Sequence, residues 1–400
     1  MTTAIRPGRW RLIRLREVVA DTEITDPTKQ PDKPFQYVDV SGVSNESFCI
    51  LEARQMEGNS APSRARKLIR AADVIFATVR PALRRIALVP PYLDGQICST
   101  GFCVLRPRPE KLDSCFLYQC LLTDAVSARV EAKQRGATYP AIADSDLLNL
   151  SILLPPLPEQ RAIARVLRTV QECIQARRRE VALAREHKAA LMEQLFTHGT
   201  RGEPTKMTEI GEMPRSWEVV RLGDHARVRY GKAKRRQVQS GSVPVVGSGG
   251  VYDHTDSALV SVPTLVIGRK GTAGTVWCQE VPCWPSDTTY YLQWTSERLR
   301  YRYAYYRLLF RRLSGQHART TLPSLQRPDV ESYVLPLASV SEQEEIVGAL
   351  TLCDTSIGAF DRETALLEEL FRALLEELMS GRLSAFPLAE REPRPCPAAA

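Results

Sequence analysis

No run of eighteen apolar residues occurs anywhere in the 400-residue chain, so no segment reads as a transmembrane helix. The opening stretch MTTAIRPGRW lacks the apolar core of a secretory signal, and a cytoplasmic protein with no membrane partner is expected. The ten cysteines include no Cys-x-x-Cys pair, a pattern that disfavours a metal site and fits reduced thiols better than disulfides. Cys98 with Cys103, and Cys278 with Cys283, sit in apolar, strand-like runs and read as small buried residues. The five histidines form neither a triad nor a ligand spacing.

Catalytic motifs are missing as well. VPPY at 89–92 is close to the Asn/Asp-Pro-Pro-Tyr loop of amino-methyltransferases, but Val89 stands where an acceptor for the target amine is required. GSGG at 247–250 has no helix after it to supply a phosphate-binding N-terminus. Glu131 and Lys133 imitate the Glu-x-Lys of restriction nucleases, yet they fall in a helical stretch without a partner carboxylate.

What the chain does contain is itself, twice. LPPLPEQRAIARVL at 154–167 returns as LASVSEQEEIVGAL at 337–350. Glu159-Gln160 and Glu342-Gln343 lie 183 positions apart, as do Pro140 and Pro323, Asp146 and Asp329, and Ile163 and Ile346. A second echo opens each half: GRWRLIRLREVV from Gly8 matches RSWEVVRLGDHA from Arg215, with Trp10 and Trp217 separated by 207. The chain is a tandem duplication whose first half carries about two dozen extra residues between its Trp and its Glu-Gln.

After each Glu-Gln comes a heptad seam. Positions 163, 167, 170, 174, 177, 181, 184, 188, 191 and 195 step by four and three, and adding 183 to each gives a second seam from Ile346 to Leu378 in the same register. Each helix would run ~57 Å at ~1.5 Å per residue. Neither can bury its stripe alone, so the two are expected to pair as a coiled coil. Arg177 and Lys188 interrupt the first seam and read as snorkelling side chains, while Phe360 and Phe371 hold the equivalent places in the second. Pro155, Pro156 and Pro158 forbid a helix before Glu159, whose charge suits a first helical turn. Glycine stops follow at His198-Gly199 and Ser380-Gly381.

Short strands punctuated by Gly and Pro fill the segments between, followed by helical stretches near 113–130 and 297–313. The second stretch is rich in Tyr and Arg, which suits nucleic acid or, equally, a packed helix with a basic outer face. A formal charge of +8 points only weakly to an acidic partner. Its distribution says more: Arg64, Arg66, Lys67, Arg70, Arg80, Arg84 and Arg85 face the single acid Asp73, and Arg227, Arg229, Lys232, Lys234, Arg235 and Arg236 face none. Two such clusters in duplicated segments favour a phosphate-facing surface over solvated charge.

The paired Glu-Gln helix starts, the linker LFTHGTRGEPTKMTEIGEMPRSWEVVRLGD at 195–224, and the segments YVDVSG, STGF, VVGSGG, VIGRKGTAG and PCWPSDTTYYL resemble the specificity subunit of type I restriction-modification systems. SVSEQ replaces the Pro-rich LPEQ in the second join. The resemblance implies an α+β fold: two β-rich target-recognition domains joined by two long antiparallel coiled-coil helices in a pseudo-two-fold tandem repeat. It places an N-terminal recognition domain at 1–157, a spacer helix at 158–199, a linker and second recognition domain at 200–340, and a second spacer helix at 341–381; the tail at 382–400, rich in Pro, Ala, Glu and Arg, lies outside the resemblance and is expected from its composition to be disordered. The resemblance implies a non-catalytic subunit that reads a bipartite site in double-stranded DNA, with the helices setting the half-site separation. Two adenine methyltransferase (modification) subunits and restriction/translocase subunits would be its partners. S-adenosylmethionine, ATP and magnesium would reside on those partners, with no cofactor or metal in this chain.

On that reading the DNA-contacting candidates in the first domain are Arg64, Lys67, Thr78, Arg80, Arg84, Arg85, Thr138 and Tyr139. In the second they are Lys232, Lys234, Arg235, Arg236, Ser248, Arg269, Lys270, Arg319 and Thr320. Two alternatives stand beside it. A self-contained site-specific nuclease would need a carboxylate-lysine cluster, and a coiled-coil scaffold without a DNA role would leave the basic clusters without a purpose.

Overall fold

The apolar runs Val74–Ala77 and Thr264–Gly268 form strands buried along their whole length, one in each of two units. A computed structural model describes residues 10–136, 138–234, 241–313 and 324–385. The first unit takes the chain up to Arg178 and again from Arg362; the second is Arg179–Asp361. The fold is α+β.

In the first unit, Val74–Ala77 pairs antiparallel with Phe102–Pro107 and Ile86–Leu88, with Val19–Ala20 completing the sheet. A second four-stranded sheet runs in the order Arg54–Glu57, Pro34–Val38, Gln96–Ser99, Ala65–Ile69, and its middle pair is parallel. The second unit has the same plan in shorter form. Thr264–Gly268 lies between Thr289–Trp294 and Val276–Gln279, with Ala226–Tyr230 at the edge. Gly250–Thr255, Val243–Gly247 and Trp284–Pro285 make its other sheet, again with one parallel pair. The GSGG stretch is the turn of the hairpin between Val243–Gly247 and Gly250–Thr255.

Each unit is closed by a two-stranded clasp. Arg11–Arg14 pairs with Ser151–Leu154 through Ile13↔Ile152, and Glu218–Arg221 with Val334–Leu337 through Val220↔Leu335. These partners keep the repeat offsets of 207 and 183, so both sequence echoes are halves of one structural feature.

The long helices span Leu157–His198 and Val340–Met379. The first begins before Glu159, with Pro158 inside its opening turn, where a missing N–H breaks no intrahelical bond. In the first unit Ile163, Leu167 and Ile174 share a core with Phe371, Leu375 and Leu378. In the second, Met192, Leu195 and Phe196 share one with Ile346 and Leu350. In the second unit the pairing is antiparallel, as Arg185 meeting Asp361 at 2.9 Å and Lys188 meeting Asp354 at 2.5 Å require, and in the first Arg178 meets Glu368 at 2.6 Å. The seam interruptions are ion pairs rather than bare snorkelling chains. Arg177 donates to Glu363 at 2.9 Å, and Lys188 donates to Asp354 at 2.5 Å and lies over the Tyr306 ring.

The helical stretch after the second unit's strands, Tyr301–Phe310, buries Tyr303, Tyr306 and Arg307, so it is a packed helix. Cys98, Cys103 and Cys283 are buried and free, and burial pushes the Cys103 thiol up to about 12. Among the described residues no helix is long and apolar enough to cross a membrane, and no group of three His, Cys, Asp or Glu side chains could hold a metal ion.

Candidate nucleic-acid interface

The Glu-Gln pairs act as anchors. Glu159 and Glu342 are buried and accept from the indole nitrogens of Trp10 (3.2 Å) and Trp217 (2.9 Å). Gln160 donates to the carbonyls of Lys111 and Pro155 and accepts from the amide of Asp113. Gln343 repeats this with the carbonyls of Arg298 and Ala338 and the amide of Arg300. Each long helix is thereby fixed to the loop that leads into its unit's own helical segment. Burial raises the Glu159 carboxyl above its ordinary value, a shift the Trp10 hydrogen bond partly offsets.

With the helices anchored, one loop in each unit becomes a hub. In the first unit the hub is Ser99-Thr100-Gly101: the Thr100 amide donates to the Arg64 carbonyl, and the Thr78 amide to the Gly101 carbonyl, both at 2.8 Å. In the second the hub is Pro285–Thr289. The Lys232 amide donates to Pro285, and the amides of Arg269 and Lys270 donate to Thr288. The strand that ends at each hub then bridges to the residue just after the Pro140/Pro323 echo, as Val79↔Ala141 and Lys270↔Ser324. The bridge partners Ala141 and Ser324 are 183 residues apart, so duplication placed the two surfaces on the same scaffold.

Around the first hub lies a depression of about 420 Å³ formed in part by Arg64, Arg80, Leu83, Arg85 and Tyr139. Tyr139 is 73% exposed, and the Arg80 guanidinium sits 5.2 Å from its ring centroid, a cation–π contact that holds both side chains at the surface. Thr138 is exposed beside it. Arg64, Arg80 and Tyr139 are therefore brought together around one depression.

Other candidates are spent inside the fold. Thr78 is buried at 5% exposure and donates its hydroxyl to the Gly101 carbonyl. Lys67 donates to Asp144 and to the Phe102 carbonyl. Arg84 binds Asp124 at 2.8 Å and the Leu122 carbonyl. Arg85 lines the depression, but its Nη1 donates to the carbonyls of Val40, Ser41 and Val43, bracing that loop. A donor committed to an internal acceptor has less to offer a phosphate, and here Lys67, Thr78, Arg84 and Arg85 brace the loops around the depression.

In the second unit Lys232 and Lys270 are exposed. Arg269 is half-buried: it donates to the Asp287 carbonyl and lies 5.4 Å and 5.8 Å from the rings of Tyr230 and Tyr290. Burial pushes the Tyr290 hydroxyl up to about 12. What this stack presents outward is Tyr230, 50% exposed, which the sequence reading passed over. Its place at the end of a strand of alternating basic residues, ARVRY, was the available signal. Ser248 is buried at 7% and donates to the Thr288 carbonyl, and Lys234 is bound to Asp253 and the His254 carbonyl, so both are also braces. Lys234 holds the Asp253 carboxyl below its usual range. Arg235, Arg236, Arg319 and Thr320 lie outside the described residues.

Known proteins share this fold. The sequence profile of the type I restriction modification DNA specificity domain matches residues 85–182 and 214–369. The type I restriction enzyme MjaVIII specificity subunit of Methanocaldococcus jannaschii is 23% identical over 317 residues, 72% of this chain and 74% of that one. A solved structure from work on complex assembly and conformational transition of the type I R-M system is 31% identical, with a TM-score of 0.60 over 95% of this chain and 100% of its own. The type I restriction-modification S subunit from M. genitalium has the same fold at 17% identity, with a TM-score of 0.65 over 94% of this chain and 98% of its own. With the profile covering more than half its length, the chain belongs to the type I restriction-modification specificity family, the non-catalytic subunits that recognise DNA sequence within type I complexes.

Proposed function

We propose that the chain reads a bipartite site in double-stranded DNA, one part through each unit. The first part is read around Arg64, Arg80 and Tyr139, and the second around Tyr230, Lys232 and Lys270. The observation that carries this reading is the repeated bridge, Val79↔Ala141 and Lys270↔Ser324, beside which each unit carries exposed cations and an arginine-backed tyrosine, the tyrosines on different elements of the two units. Cations of this kind fix register on phosphates, while planar and polar groups between them meet base edges.

The partners are two adenine methyltransferase subunits and, with them, restriction/translocase subunits. S-adenosylmethionine, ATP and magnesium belong to those partners. The anchored helices support this reading, since fixed helix starts hold each unit in one orientation toward whatever binds the helices.

The test is methylation mapping. The chain combined with a modification subunit should methylate adenines within one interrupted site, and the chain alone should methylate nothing. Label transferred from S-adenosylmethionine to DNA by the chain alone, or a continuous site, would overturn the proposal.

A further inference from the structure

The loop joining Val74–Ala77 to Ile86–Leu88 is built unlike an ordinary surface turn. Arg80 and Arg84 both adopt left-handed backbone conformations, with φ of 47° and 51°, on either side of the short 3-10 turn Pro81–Leu83. A non-glycine residue held there is strained and persists only when its surroundings over-determine it. They do so here. The Arg80 amide donates to the Pro140 carbonyl at 2.7 Å, Pro81 is buried, Arg84 is bound to Asp124 and Leu122, and Arg85 to three carbonyls.

The side chain this construction presents is Leu83. It is 43% exposed and forms part of the wall of the depression shared with Arg64, Arg80 and Tyr139. A single exposed leucine is common and by itself carries no information. A leucine held by two strained arginines inside this depression is a different matter, because the other aliphatic members of its wall, Val40, Val79 and Pro140, are half-buried, while Leu83 stands exposed among Arg64, Arg80 and Tyr139.

Base edges offer few apolar targets. In the minor groove they present only acceptors and the guanine amino donor; in the major groove the apolar group is the C5 methyl of thymine. We infer that Leu83 reads the methyl group of one thymine in the half-site recognised by the first unit. The inference rests on the DNA-facing assignment of the depression. A wedge that unstacks a base step would instead project beyond its surroundings, whereas Leu83 forms part of a concave wall.

The test uses the assembled complex and duplexes carrying its mapped site, with each thymine replaced singly by deoxyuridine, which removes only the methyl group. One such replacement should weaken binding by about fourfold, the worth of one buried methyl group. Leu83→Ala should weaken the unmodified duplex to a similar degree, lose sensitivity at that thymine alone, and keep the wild-type salt dependence. Leu83→Met, which retains an apolar reach, should keep the sensitivity. Sensitivity to every deoxyuridine surviving in Leu83→Ala, no sensitive thymine in the wild type, or a loss in Leu83→Ala that is uniform across sequences, as a wedge would give, overturns the inference. The underlying assignment fails separately, if Arg64→Ala with Arg80→Ala leaves the slope of log affinity against log salt unchanged.

Discussion

The indole nitrogen of Trp217 donates to Oε2 of Glu342 across 2.9 Å, joining the residue just before the second unit's first clasp strand to the start of the long helix 125 residues later. Gln343, next in sequence and fully buried, completes the join with three further hydrogen bonds. Removing them strands two carbonyls and an amide. Gln343→Ala should therefore cost about 2–4 kcal/mol, read as a lowered urea midpoint. Gln343→Glu should be no better, because it sets a carboxylate oxygen against the carbonyls of Arg298 and Ala338. Rescue by glutamate would show that packing volume, not hydrogen bonding, is what the position supplies.

Glu159 makes the first join sensitive to pH. Burial raises its carboxyl above the ordinary value of about 4.5, so between that value and the folded one the native state binds the extra proton. Stability must then fall as pH rises through this window, the reverse of a salt-bridged carboxylate. Glu159→Gln removes the ionisation while keeping an acceptor for Trp10. Thermal melts should show the variant gaining most on the wild type at neutral pH and least near pH 4.5. Parallel curves for the two proteins would mean Glu159 does not titrate in this range.

The arginines of the first unit divide into two kinds, and binding should separate them. Arg64→Ala combined with Arg80→Ala should flatten the salt dependence of DNA binding by the complex by about two counterions. Arg85→Ala should leave that slope near its wild-type value. It should instead destabilise the unit by about 1–3 kcal/mol, since the carbonyls of Val40, Ser41 and Val43 lose their shared donor. A full slope change from Arg85→Ala would place its guanidinium on DNA.

Much of this design could be read in the sequence because duplication writes it twice. The Trp and Glu-Gln echoes located the joins, and the heptads located the helix pairing, since a 3.5-residue period survives any divergence of the surface. The partner of Glu159 could not be read. Its position fits a favourable charge in a first helical turn, and only the fold brings Trp10 to it across 149 residues. The site was legible as a region but not residue by residue. Arg80 and Arg84 are alike in a sequence; one ends over a tyrosine ring and the other on Asp124 because the backbone turns between them. Thr78 and Ser248 show the same limit: a hydroxyl beside a basic cluster reads as a contact, and only the fold shows that the hub loops bury both.

The helix stops give a last comparison in which the two halves should differ. Gly199 and Gly381 both end a long helix with positive φ, 66° and 73°. An added Cβ at Gly381 would have Trp10 as its nearest neighbour at 3.7 Å, which is ordinary contact. Gly381→Ala should therefore cost only the left-handed backbone penalty, about 1 kcal/mol. At Gly199 the same atom would stand 2.5 Å from Oε1 of Glu342, 3.1 Å from Pro214 and 3.3 Å from Trp217, so the Trp217 join must shift to admit it. Asparagine separates the two contributions, because it tolerates the left-handed region but still carries a Cβ. Gly381→Asn should be nearly neutral in urea unfolding, and Gly199→Asn should remain as damaging as Gly199→Ala. Equal rescue by asparagine at both sites would mean that backbone strain alone governs these stops and that the contact with Glu342 yields without cost.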